Sequence, residues 1–184
     1  MIAPRDEAAI AAQLGRLPRG QLAVAHRCPC GLPDVVETAP RLPDGVPFPT
    51  LYYLTCPRAA AAVSTLEAAG LMREMTARLA DDTVPASDTV PADDTVPASD
   101  GLKQRYRAAH EDYLARRDEA AARAGVEPLP AGTQTAGGMP ERVKCLHALV
   151  AHELATGVNP FGREALEAIG EWWTEGPCVT VEGS

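Results

Sequence analysis

The chain predicts an α+β fold, with a small antiparallel sheet of about three strands and helices packed on one face of it. Three observations carry that expectation. Short β-branched or aromatic segments cluster ahead of Cys56 between Pro- and Gly-rich turns, and stretches of helical period that open at Pro and close at Gly follow them. An apolar fraction of 46% over 184 residues suffices for a real core, although the scarcity of aromatics makes that core one of Ala, Leu and Val.

Pro4 to Leu14 reads as a first helix, stopped by Gly15 and Pro18. Gln21 to His26 alternates as a strand, and Asp34 to Ala39 and Thr50 to Thr55 are two more, joined through Leu42-Pro43-Asp44-Gly45. Pro57 suits the first turn of a helix running to Ala69 and ended by Gly70, with a shorter helix from Leu71 to Ala80. Leu102 to Ala124 is a long helix with Tyr106, Ala109, Tyr113 and Ala120 along one stripe, closed by Gly125. After a loop rich in Pro, Gly and Thr, Pro140 is expected to open a helix to about Thr156, and Glu164 to Trp173 to form the last.

Residues 82–99 are three tandem copies of Asp-Thr-Val-Pro-Ala-Ser/Asp. A Pro in every copy removes a ladder donor and three copies bury almost nothing, so the repeat predicts a disordered acidic insertion at 81–101 rather than a β-helix. Residues 1–80 and 102–173 are then two parts of one domain, and 174–184 a flexible tail. Six of the eight net negative charges sit on Asp81, Asp82, Asp88, Asp93, Asp94 and Asp100. The remainder is nearly neutral, which argues against a nucleic-acid partner, since a basic face must neutralise phosphates.

Met1 to Glu7 carries charges of both signs with no apolar run of signal-peptide length, and no later segment reaches membrane-spanning length. A cytoplasmic protein without membrane contact is expected. Five cysteines in a reducing compartment favour free thiols, metal ligands or redox chemistry over a disulfide framework. Arginine far outnumbers lysine, which with the abundance of alanine reads as the codon bias of a GC-rich genome.

The chemistry-bearing motifs are Arg27-Cys28-Pro29-Cys30-Gly31, Leu54-Thr55-Cys56-Pro57 and Lys144-Cys145-Leu146-His147 with His152 beyond. Cys28 and Cys56 fall at strand ends, and a thiol at a helix amino terminus, as Cys56 would be, faces unpaired N–H groups that favour thiolate. On a helix opening at Pro140, Cys145 and His152 share a face while His147 lies about 200° around from Cys145. The expected metal set is therefore Cys28, Cys56, Cys145 and His152, with Cys30 as a competitor. Such a set suits tetrahedral zinc, and three thiolates with an open position also suit an iron–sulfur cluster.

Against this stands the reading that buried cysteines only pack. A third reading makes Cys56 a nucleophile near His152 or His147, acting on a small anionic substrate. Gly137 and Gly138, preceding a helix that carries Arg142 and Lys144, form the candidate anion pocket for such a substrate or cofactor. His110-Glu111 with Arg107 and Asp112 reads as a solvated face, and Trp172 and Trp173 as a cap on the core or a partner contact.

The blocks Arg27-Cys28-Pro29, Pro47-Phe48-Pro49-Thr50-Leu51-Tyr52-Tyr53-Leu54-Thr55-Cys56-Pro57, Ala109-His110-Glu111-Asp112-Tyr113-Leu114 and Gly137-Gly138-Met139-Pro140-Glu141-Arg142-Val143-Lys144-Cys145-Leu146-His147 together resemble the family called domain of unknown function 501. The resemblance spans nearly the whole chain except the acidic repeat and the last residues, and it lands on Cys28, Cys56, Cys145 and His147. It implies a small cytoplasmic bacterial protein, mainly of high-GC Gram-positive bacteria, and brings no established activity. Genes of such proteins tend to lie beside those for a septum formation initiator and an exopolyphosphatase-like enzyme. That neighbourhood implies, by association, an adaptor for a division or polyphosphate-related partner.

Overall fold

The structure, a computed structural model, describes residues 2–16, 18–80 and 101–181. The acidic repeat, expected to be a disordered insertion, lies outside the described residues. The fold is α+β, with a three-stranded antiparallel sheet and six helices among those residues. Helix α1 (Pro4–Leu14) precedes strands β1 (Gln21–Arg27), β2 (Pro33–Thr38) and β3 (Tyr52–Leu54). Then come α2 (Pro57–Ala69), α3 (Leu71–Ala80), α4 (Leu102–Ala124), α5 (Leu146–Thr156) and α6 (Pro160–Ile169).

The sheet order is β1-β2-β3, with Val24 opposite Val36 and Val35 opposite Leu54. Successive side chains of a strand point to opposite faces, so neighbouring valines of β2 serve different layers. Val35 joins the main core with Leu51, Leu149, Val150 and Phe161, whereas Val36 meets Ile2 and Ile10 beside α1. Helix α1 thus covers the second face of the sheet, and the later helices build the first.

Helix α5 is buried almost all round, from Leu146 and Ala148 to Glu153, as befits a central element enclosed by its neighbours. The predicted stripe of α4, Tyr106, Ala109, Tyr113 and Ala120, faces inward, with Arg117 buried on the same helix. Tyr113 Oη donates to the Pro49 carbonyl at 3.1 Å and accepts the Leu51 N–H at 2.6 Å, which stitches α4 to the start of β3. Helix α2 ends at Gly70, whose φ of +95° lets its N–H turn back to the Glu67 and Leu66 carbonyls.

Two helix starts differ from expectation. No helix opens at Pro140, because the 137–145 segment satisfies its backbone elsewhere. Lys144 N–H donates to Gly137 O at 2.8 Å, Val143 N–H to Thr76 Oγ1 at 3.0 Å, and Tyr106 Oη to Arg142 O at 3.1 Å. The last helix begins at Pro160, not Glu164. Asn159 caps it by accepting the Gly162 N–H at 2.9 Å, and Pro160 occupies the first turn, where a missing N–H costs nothing.

Trp172 packs against the core and meets Trp173 edge to face, with ring centroids 4.7 Å apart. Gly176 O accepts from Arg58 Nη1 at 2.7 Å and Cys178 Sγ from Gln13 Nε2 at 3.3 Å, so the described part of the terminal segment has two tethers. Among the described residues no helix is long and apolar enough to cross a membrane.

Candidate functional site

Cys28 follows β1 and Cys56 follows β3, and these two strands run parallel with β2 between them. Their ends are therefore about two strand spacings, roughly 10 Å, apart. Two sulfurs on one zinc, each about 2.3 Å from the metal, must lie within about 4.6 Å of each other. Among the described residues, Cys145 alone of the four expected ligands belongs to a group of three ligand-type side chains with mutually close donor atoms, and its companions there are new.

His152 is spoken for. Asn159 Oδ1 accepts from Gly162 N–H, which fixes the amide orientation and leaves Asn159 Nδ2 to donate to His152 Nδ1 at 3.2 Å. The other ring nitrogen then carries the proton and donates to Asp112 Oδ2 at 3.0 Å. The ring stacks on Tyr52 and lies edge-on to Tyr113, fully buried. Neither nitrogen is left for a metal.

The buried thiols are also poor thiolates. Burial pushes Cys28 up to about 12, with the Cys30 thiol and the Asp34 charge adding to it. Cys56 sits at the amino terminus of α2, yet burial outweighs the N–H groups of Ala59 and Arg58 there and pushes it up to about 11, with Cys178 beside it. The expected activation by the helix terminus is therefore overridden, because the desolvation of a thiolate costs more than two N–H groups return. In native protein at about pH 8, iodoacetamide should modify Cys30, Cys145 and Cys178 before Cys28 and Cys56. Early labelling of Cys56 would contradict this order.

The expected anion pocket dissolves into packing on one side. A Cβ on Gly137 would meet Leu149 Cδ2 at 2.5 Å, and Gly138 N–H donates inward to Thr135 O at 3.2 Å. The two glycines allow a tight loop, and the Gly138 N–H is committed within it. Lys144 is exposed, while Arg142 and Gly138 line a separate hollow beside His110.

The site that does assemble lies where the last turn of α2 meets the first turn of α5. Glu67, Cys145 and His147 place a carboxylate oxygen, Sγ and an imidazole nitrogen all within 4.8 Å of one another, half-buried. Cys145 caps α5 with φ −152°, ψ 112°, so it stands outside the helix and the helical offset from His147 does not apply. Its Sγ is 4.0 Å from His147 Nδ1.

Glu67 Oε1 accepts the Leu146 N–H at 2.6 Å and lies 3.2 Å from His147 Nδ1. A carboxylate from α2 thereby supplies the cap that Cys145 does not, at the positive end of the α5 dipole. His147 Nε2 meets two acceptors, Ala60 O at 3.1 Å and Ser64 Oγ at 3.2 Å, the serine hydroxyl being itself committed to Ala60 O at 2.9 Å. Nε2 therefore carries a proton, and Nδ1 is the nitrogen turned toward sulfur and carboxylate.

In the metal-free protein Nδ1 takes a second proton. The hydrogen bond to Cys145, followed by the Glu67 charge, pushes His147 up to about 9 against the opposing effect of burial. Three electron-rich atoms around one point need a cation, and a proton or a metal ion can serve. A nucleophilic triad does not fit, because Cys145 and Glu67 address the same ring nitrogen instead of opposite ones.

Sequence reasoning missed Glu67, which lies 79 residues before Leu146 on a helix whose neighbouring Ser64 and Thr65 are exposed. Its signal was the carboxylate within reach of a helix end, visible only once α2 and α5 are placed side by side. No curated protein and no solved structure matches the chain. A family model described as "Protein of unknown function (DUF501)" matches residues 24–167, which include all three residues of this site. The chain belongs to that family.

Proposed function

We propose that the protein holds a single divalent metal ion, zinc by its donor set, at Glu67, Cys145 and His147. The observation that carries this reading is the commitment of His147 Nε2 to Ala60 O and Ser64 Oγ, which turns Nδ1 toward the Cys145 sulfur and the Glu67 carboxylate. One thiolate, one imidazole and one carboxylate form a borderline-soft set that suits zinc, and a single thiolate does not suit an iron–sulfur cluster. Three protein ligands leave a fourth position for water or an external ligand. The site joins α2 to the amino terminus of α5, so the ion would also clamp two elements of the core, a structural or regulatory role.

Elemental analysis of protein purified without chelator is the test. Near-stoichiometric zinc is expected, lost in Cys145→Ala and His147→Gln and retained in Cys28→Ala and Cys56→Ala. Zinc affinity should rise with pH, because the ion displaces the proton on His147 Nδ1. Metal that persists in both Cys145→Ala and His147→Gln, or a metal-free wild type that takes up none on dialysis, would overturn the assignment and leave an ion pair capping α5.

A further inference from the structure

Arg117 presents a second anomaly, independent of the metal site. It is 4% exposed on the inner side of α4, and among the described residues it makes no ion pair. Its hydrogen bonds go to a single carbonyl, Thr133 O, at 3.4 Å from each terminal nitrogen, and its Nε has no partner. A guanidinium withdrawn from water normally meets a carboxylate, because an isolated charge is costly to bury.

One turn and two turns back on the same helix face lie Leu114 and His110, and both line a hollow of about 220 Å³ closed on its other side by Thr133, Gln134, Gly138 and Arg142. His110 Nδ1 is buried and unpartnered. Burial, then the charge of Arg117, holds His110 below its ordinary value, so the ring is neutral and its buried nitrogen is free to accept or donate. The charged groups that line the hollow are Arg142 and Glu141, and the charges of Arg117, Glu111 and Arg107 act on His110 at its wall, three cations against two anions in all.

We infer that this hollow between α4 and the 132–142 segment binds a small oxyanion, a phosphate or a carboxylate. Arg142, at the exposed rim, and the Gln134 side chain offer the donors that touch it, the Thr133 hydroxyl being committed to Pro130 O at 2.7 Å. Arg117 lies behind Thr133 and contributes its uncompensated charge, while His110 offers a ring nitrogen on the opposite wall. The glycine at position 138 keeps the loop tight there, since a Cβ would meet Lys144 Cβ at 2.8 Å.

Calorimetric titration of the full chain with inorganic phosphate, and separately with acetate, tests this at ionic strength held constant with sodium chloride and with chelator present, so that no metal captures the anion. Saturable binding of one of the two anions is expected, and which one saturates tells phosphate from carboxylate recognition. Arg142→Gln, at the surface, should weaken it about tenfold, as loss of a charge-assisted hydrogen bond does. Arg117→Met should weaken it at least as much. Heats no different from those of chloride for both anions, or binding that Arg142→Gln leaves unchanged, would overturn the inference whether or not Arg117→Met folds.

Discussion

Gly162→Ala is expected to destabilise the protein by about 3 kcal/mol, although alanine is the better helix former by about 1 kcal/mol. The sign is decided by the contact between α5 and α6. A Cβ at position 162 would lie 2.2 Å from Leu149 O and 2.7 Å from Glu153 Cβ. The first obstacle is backbone in the middle of a buried helix, so relief requires α6 to move off α5, and with it Phe161 and Ala165. Denaturant unfolding of the variant checks this, and a loss under about 1 kcal/mol would mean that the two helices are free to part.

The second large effect belongs to His152. Its removal in His152→Ala should cost about 3–4 kcal/mol, through a cavity beneath Tyr52 and Tyr113 and through the partners it abandons. Those partners form a chain across three helices. Arg116 Nε donates to Asp112, His152 Nε2 donates to Asp112, Asn159 donates to His152 Nδ1, and Gly162 N–H donates to Asn159. His152→Phe keeps the ring and should recover part of the loss, leaving the polar share exposed to measurement.

Asp112 gives that chain a pH signature. Burial opposes its ionisation, yet the hydrogen bonds from His152 and Arg116 and the guanidinium charge outweigh burial and hold the carboxyl below its ordinary 3.8. A depressed folded-state value stabilises the protein fully above 3.8 and is lost as pH falls through the lower folded-state value. His152→Phe should flatten the acid limb of the stability profile in that window, and an unchanged limb would remove Asp112 from the account.

Much of the fold was legible because its boundaries are written in residues with one physical meaning. Pro57 after Cys56 and Gly70 after Ala69 bracket α2, and Gly125 ends α4, as backbone geometry demands. The start of α5 was misread because Pro140 is an equally good opening residue, and nothing local says that Val143 will bond to Thr76 or Lys144 to Gly137. That misreading propagated to the site. With Cys145 on a helix, His147 would point away from it, whereas a cap residue escapes the helical period. Asn159-Pro160 is a readable start for α6, a capping amide followed by a proline in the first turn. The partnership of Glu67 with Cys145 and His147 was beyond local pattern, since it depends on which helices become neighbours.

Helices α3 and α4 are each fastened to the core independently of the segment that joins them in sequence. Met75 and Leu79 anchor the first and Tyr106 and Tyr113 the second, while Arg78 reaches Glu164 on α6 at 2.6 Å. The helix ends on either side of residues 81–100 are thus each held by contacts of their own. Substitutions confined to residues 82–99 therefore change none of the side chains that fasten α3 and α4.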